Sequence, residues 1–322
     1  MRDHGGDLDR IRAERGGEDW IDLSTGINRV PWPVPTVSAR AWTALPAATA
    51  RRDLLQAAAQ AYGTGAPMVA LAGAQAAIQM LPQVLEGART VRILSPTYNE
   101  HAACFAAAGW QVEEVSASAA LAGADVALLV NPNNPDGRAL PPAALMALRG
   151  QVGHLVVDES FVDPLPHLSV SAQAGEGLTV LRSFGKFYGL AGMRLGFAIG
   201  DAPLIARLEA MAGPWPVSGP ALEIGAAALR DEAWAQASTA RLARDAARMD
   251  GLAQRFGWAL VGGTPLFRLY DTPDARAAQD HLADHRLWSR IFPWSPRLIR
   301  LGLPGKEAEW ARMAAAMDAG RD

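Results

Sequence analysis

Lys186 lies in VLRSFGKFYGLAGMRLGFAIG, residues 180–200, between one strand-like apolar run and a glycine-rich segment that leads into another. A lysine is ordinarily a solvated loop residue, so its meaning rests on its companions. Asp158 ends the run HLVVD. An acid at the carboxyl end of a buried strand is costly unless it meets a cation, and alone it would read as a helix cap. NPNNPDG, residues 131–137, holds a cluster of side-chain amides that includes Asn134; by itself it is a good turn. In LAGAQAAIQ, residues 71–79, a glycine opens a helical stretch, so Ala74 and Gln75 can offer backbone N–H groups to an anion. Ser183 just before the lysine and Arg194 just after it add a hydroxyl and a guanidinium suited to a phosphate. SPTYNEH places Tyr98 beyond a further strand end, where its ring can stack on a flat ligand.

One ligand uses all of these groups together. Pyridoxal 5′-phosphate (PLP) needs an amine for its aldehyde, a carboxylate for its pyridine nitrogen, a donor for its ring oxygen and an anion site for its phosphate. Lys186, Asp158 and Asn134 answer the first three needs, and Ala74, Gln75, Ser183 and Arg194 the last.

The elements that must position these groups are legible as an alternation. VRILSP, DVALLVNP, HLVVDES, LTVLRSF and RLGFAIG are mostly continuous apolar runs, as in a largely parallel sheet covered on both faces. AQAAIQMLPQVLEG and HAACFAAAG supply covering helices, the first with Pro82 expected to kink it. The pattern predicts an α/β layer architecture, with ligand groups at the carboxyl ends of strands. GPWPVSGP, residues 213–220, marks a hinge. The expected organisation is an extended arm over 1–35, a large PLP-binding domain over 36–218 and a small α+β domain over 219–322. In the last of these, LFRLYD, LWSRIF and LIRLGLP read as short strands.

GAQAAI, SPTY, NPNNPDG, DES and SFGKFYGLAGMRLG together resemble the fold-type-I aminotransferase superfamily, in the branch of the histidinol-phosphate aminotransferases. That resemblance implies a mostly parallel mixed sheet flanked by helices, a smaller C-terminal domain, and a homodimer with its sites near the subunit interface. It makes Lys186 the Schiff-base lysine, Asp158 the pyridine-nitrogen partner, Asn134 the ring-oxygen donor and Tyr98 the stacking aromatic. Ala74, Gln75, Ser183 and Arg194 become the phosphate cradle, and Arg300 the arginine for the substrate carboxylate. Two positions depart from the pattern. Phe161 in DESF replaces a tyrosine that touches the ring oxygen, and Leu45 replaces a tyrosine that reaches the second subunit's cofactor phosphate.

Within the branch, the HGGDLD start, DLSTGINRVPWPVP, GPWPVSGPALEIG and RLGLPG resemble the threonine-phosphate decarboxylases of cobalamin biosynthesis. A phosphorylated amino acid is the substrate this implies. Arg290 and Arg300 could take its phosphate and carboxylate separately, while His4 and Asn28 belong to arm motifs that could fold over it. Histidinol-phosphate or another amino-acid transamination is the alternative; a non-catalytic PLP-binding protein is disfavoured by the presence of both Lys186 and Asp158.

Composition sets the outer bounds. Half of the 322 residues are hydrophobic and the net charge is −3, without the basic block of a nucleic-acid surface. The polar start and the lack of a long apolar run predict a cytoplasmic protein with no membrane span. The single cysteine, Cys104, excludes an intrachain disulfide and a cysteine-cluster metal site; it is expected to be a small buried hydrophobe.

Overall fold

The computed structural model describes residues 4–87 and 89–319. By its contacts the chain forms two compact units, one of residues 32–134 and 139–236, the other of residues 1–31, 135–138 and 237–322.

The first unit is built on a seven-stranded sheet. In chain order its strands are β1 (Met68–Leu71), β2 (Thr90–Leu94), β3 (Gln111–Val115), β4 (Val126–Val130), β5 (His154–Asp158), β6 (Leu178–Ser183) and β7 (Gly196–Ile199). Their spatial order is β1-β7-β6-β5-β4-β2-β3. β3, β2, β4, β5 and β6 run parallel, and β7 lies antiparallel between β6 and β1. β4 and β7 are buried at every residue, which explains their unbroken apolar sequence. β3, QVEEV, is an edge strand with an exposed polar face, and it carries no apolar run to announce it.

Helix Ala74–Val84 covers the sheet through Ala77, Ile78 and Leu81, which join Val91, Ile93, Val126 and Leu128 in one core. The helix continues through Pro82 to Val84, and the Pro82 carbonyl accepts the Trp110 indole N–H at 2.8 Å. Cys104 is half-buried and packs against the same core.

The second unit carries a four-stranded antiparallel sheet. It comprises β8 (Ala259–Thr264), β9 (Phe267–Asp271), β10 (Arg290–Phe292) and β11 (Ser295–Gly302), in the order β10-β11-β9-β8. The opening residues, expected to be extended, instead include a helix, Leu8–Arg15, capped by Asp7. It has little hydrophobic signature in sequence, and Ile11 alone is buried, against Trp20, Ala283 and Trp288. Beyond it, Ile21–Asp22 pairs in parallel with Leu287–Trp288. NPNNPDG divides between the units: Asn134 belongs to the first, whereas Gly137 packs in the second so tightly that a Cβ there would lie 2.1 Å from the Gly263 carbonyl oxygen.

Candidate active site

Lys186 is one of two lysines in the chain and sits on a single helical turn, Phe184–Phe187, directly after β6. Aromatic packing fixes that turn. Phe184 stacks on Tyr188 with ring centroids 4.4 Å apart, Tyr188 stacks on Trp234, and Phe187 meets Trp234 edge-on. Gly185 lets the turn approach the short 3-10 turn Ala191–Met193 that follows it, because a Cβ there would lie 2.6 Å from Ala191 Cα. The Lys186 ammonium lies 5.4 Å from the Phe161 ring centroid, within cation–π range. Phe161 thus presents an apolar ring, without a hydroxyl, to the amine.

Asp158, at the end of β5, is buried. Its Oδ2 accepts from His101 Nε2 at 2.9 Å, and its Oδ1 accepts from the Ser160 N–H at 2.9 Å and hydroxyl at 2.5 Å. Burial pushes the carboxyl up, but the His101 hydrogen bond and charge, with the Ser160 donors, outweigh it and hold Asp158 below its ordinary value. The site therefore keeps a carboxylate ionised in an apolar setting. His101 and Ser160 were not singled out in the sequence. The only signal for His101 is a polar residue on the inward face of an Ala-rich helix, Glu100–Ala107.

Opposite this acid lies an anion cradle. Helix Ala74–Val84 starts at Gly73, which has φ +82° and provides no capping side chain, so its first N–H groups stay available. The Arg194 guanidinium lies over Gly73, where a Cβ would sit 2.8 Å from Nη2. Arg194 itself adopts a left-handed backbone, φ +53°. Gly196 packs so closely on the helix start that a Cβ would lie 2.2 Å from the Ala74 nitrogen.

Tyr98 closes one wall. Its hydroxyl donates to Gln75 Oε1 at 3.1 Å, while Gln75 Nε2 donates to Glu100 Oε2 at 3.2 Å. Burial, then the Glu100 and Asp158 charges, push its phenol up to about 12, so it remains a neutral ring at physiological pH. Asn133 ties the amide loop to this wall, donating to the Pro96 carbonyl at 3.0 Å and accepting from Thr97 Oγ1 at 2.6 Å. Its neighbour Asn134 then lines the pocket.

The pocket so formed has a volume of about 180 Å³, and Ala74, Tyr98, Asn134, Asp158, Lys186 and Arg194 are among its walls, with Gln75 and Ser183. All the residues assigned to PLP by sequence therefore face one cavity. The donor set also fits PLP in kind: one amine, one ionised buried acid, and a helix start with a guanidinium in a cradle that any Cβ at Gly73 would invade.

The other four sequence candidates lie in the second unit. Arg300 on β11 is buried; it donates to the Ser24 carbonyl at 2.5 Å and lies 5.2 Å from the Phe267 ring centroid. Arg290 on β10 stands directly opposite Arg300 in the ladder. Burial and then the Arg290 charge bring Arg300 down to about 10. His4 precedes Gly5, which lies against Ser24, a Cβ there falling 2.6 Å from the same Ser24 carbonyl oxygen. The structure thus brings the His4 arm and Arg300 together at Ser24, with Arg290 beside Arg300 on the neighbouring strand. Asn28 is buried, and its side-chain oxygen accepts from the Val30 N–H at 3.0 Å and Arg241 Nη2 at 2.7 Å, bonds that shape the arm itself.

A mostly parallel sheet with one antiparallel strand within it, and an amine and an acid lining one cavity at its strand ends, define an α/β enzyme-like core. The chain belongs to the aminotransferase class I and II family, whose model matches residues 18–317. Among curated proteins it is 44% identical to the threonine-phosphate decarboxylase of Pseudomonas aeruginosa, over 98% of this chain and 97% of that protein. It is 42% identical to the protein of the same name from a Sinorhizobium species, over 98% and 97%. Among solved structures it matches histidinol-phosphate aminotransferase from Sinorhizobium meliloti in complex with pyridoxal-5′-phosphate, with a TM-score of 0.84 and 22% identity over 97% of this chain and 93% of that one. At that identity the likeness is one of fold.

Proposed function

We propose that this protein is a PLP-dependent lyase that decarboxylates L-threonine O-3-phosphate to (R)-1-amino-2-propanol O-2-phosphate and carbon dioxide, a step of cobalamin biosynthesis. The observation that carries this reading is the identity above 40% to two threonine-phosphate decarboxylases along almost the whole of each chain. The cross-strand pair Arg290 and Arg300 supports it. Two guanidiniums set opposite each other in one ladder offer separate partners for a phosphate and a carboxylate.

Bound PLP supplies an electron sink for the bond broken at the substrate Cα. Lys186 would hold the aldehyde. Asp158, kept ionised by His101 and Ser160, would favour a proton on the ring nitrogen. Asn134 would donate to the ring oxygen and Tyr98 would stack on the ring. Ala74, Gln75, Ser183 and Arg194 would hold the phosphate. Arg300 would take the substrate carboxylate, Arg290 its phosphate, and His4 and Asn28 would shape the arm around it. Phe161, which lacks a hydroxyl, leaves Asn134 as the sole side-chain donor proposed for the ring oxygen.

We also read the protein as a cytoplasmic homodimer. No helix among the described residues is long and apolar enough to cross a membrane. Leu45 is 67% exposed in a groove of mixed character, lined by Pro46, Leu222 and Ala226 and by Arg40, Glu223 and Arg230, and nearby in sequence Trp42 is 69% exposed; exposed apolar side chains of this size suit a second copy.

The deciding experiment is incubation of PLP-loaded protein with L-threonine O-3-phosphate and no keto acid. Continuous release of carbon dioxide and aminopropanol phosphate is expected. No carbon dioxide, together with repeated turnover of histidinol phosphate and 2-oxoglutarate, would make the protein an aminotransferase instead.

A further inference from the structure

The sheet face opposite the cofactor pocket holds a second buried polar cluster. Successive strand residues point to opposite faces, so Asp158 and Ser183 face the pocket while their neighbours Glu159 and Arg182 face away. Arg182 is 4% exposed and Glu159 fully buried. Arg182 Nη1 donates to Glu159 Oε2 at 3.1 Å, and Nη2 donates to Asp163 Oδ1 at 2.6 Å. The guanidinium carbon lies 4.0 Å from the Tyr62 ring centroid. Glu159 also accepts from the Ser169 hydroxyl and the Val170 N–H, each at 2.6 Å, and from the Ser171 hydroxyl at 3.1 Å. Apolar packing of equal volume often serves a fold as well as a buried ion pair, so the position of the cluster matters more than its strength.

Its position supplies the reason. The Val162 N–H donates to the Glu159 carbonyl at 3.1 Å, so Glu159–Val162 is a single turn with Ser160 and Phe161 at its corner. Ser160 holds Asp158, and Phe161 lies against the Lys186 amine. Glu159 is one foot of that turn, and Asp163 stands just beyond the other. Arg182 grips both feet with the two ends of one rigid guanidinium. It is also the residue before Ser183 on the strand that leads to Lys186.

We infer that Arg182 is a positioning residue: by clasping Glu159 and Asp163 behind the sheet, it sets the turn that presents Ser160 to Asp158 and Phe161 to Lys186, and so governs how PLP is held. The inference rests on the PLP reading above. A lysine in its place offers a single ammonium with no fixed fork, so it can secure one foot but not both.

The test compares wild type with Arg182→Met, Arg182→Lys and Asp163→Asn. Apo-protein melting, the PLP dissociation constant and the pH titration of the visible absorption of PLP bound at Lys186 are measured for each. Arg182→Met is expected to bind PLP on the order of 10-fold more weakly, equivalent to about 1.4 kcal/mol, and to shift the midpoint of the absorption titration. Arg182→Lys should recover part of both changes. If Arg182→Met fails to fold, Asp163→Asn, which loosens one foot without changing shape, decides the matter by the same shift. A folded Arg182→Met, or failing that a folded Asp163→Asn, with wild-type affinity and an unmoved titration overturns the inference. Failure of the wild type itself to bind PLP would instead overturn the cofactor reading.

Discussion

His101 Nε2 stands 2.9 Å from Asp158 Oδ2, with both side chains almost wholly buried. A carboxylate in such a place would ordinarily take up a proton. His101 and Ser160 prevent this, and the acid stays ionised where a protonated ring nitrogen would need it.

Replacing His101 by Phe should expose this dependence. Asp158 in the wild type lies below its ordinary value, so it contributes stability above the unfolded carboxylate pKa and loses it as pH falls through the folded one. Without His101, burial dominates and the folded pKa rises. The variant should be about 3 kcal/mol less stable at neutral pH, the scale of a broken buried pair. Its deficit should shrink toward pH 4, as the variant's folded acid takes up the proton that its raised pKa favours. Urea midpoints across that range read the difference, and a deficit independent of pH would refute the role.

Reduction of the PLP-loaded protein with borohydride should attach the cofactor to the peptide carrying Lys186. Lys306 is the only other lysine, so peptide mapping gives a binary answer. Lys186→Ala should still bind PLP without a covalent link, and should not turn over.

Gly73→Ala tests the anion cradle. The new Cβ meets the far end of the Arg194 side chain and must accept φ +82°, a strain of about 1–2 kcal/mol. The fold should survive while the guanidinium is displaced, and PLP affinity should fall about 10-fold. Equal affinity in a spectrophotometric titration would remove Arg194 from the phosphate site.

Arg290→Ala should separate substrate recognition from stability. Arg290 is only half-buried on the short strand β10, so its loss should leave the melting temperature within about 2 °C. The KM for threonine phosphate should rise at least ~10-fold. A fallen melting temperature with an unchanged KM would mean that Arg290 serves the sheet and not the substrate.

How much of this was legible in sequence follows from the physics of each part. β4, β5, β6 and β7 announce themselves because almost complete burial demands mostly apolar residues, β2 shows through its buried Val91, Ile93 and Leu94, and the pocket residues stand at strand ends or in the Gly- and Pro-shaped loops that follow. β3 was invisible because an edge strand can be half polar. Helix Leu8–Arg15 was missed because it buries one residue. The Arg182 cluster was hidden for a different reason. Its members look like ordinary charged residues until the sheet sets Glu159 beside Arg182 and the chain from Asp163 to Ser171 folds back over both.

The hairpin joining β6 to β7 has one more implication. Ser183 pairs with Gly196, and the Phe184 N–H donates to the Leu195 carbonyl at 3.2 Å, so the connection is a loop sealed at its base. Lys186 and Arg194 both ride on it. If PLP is held as proposed, this loop would act as a gauge block, setting the span between the amine that takes the aldehyde and the guanidinium that takes the phosphate. The sheet below could tolerate a longer loop at small entropic expense, but the gauge would then measure the wrong length.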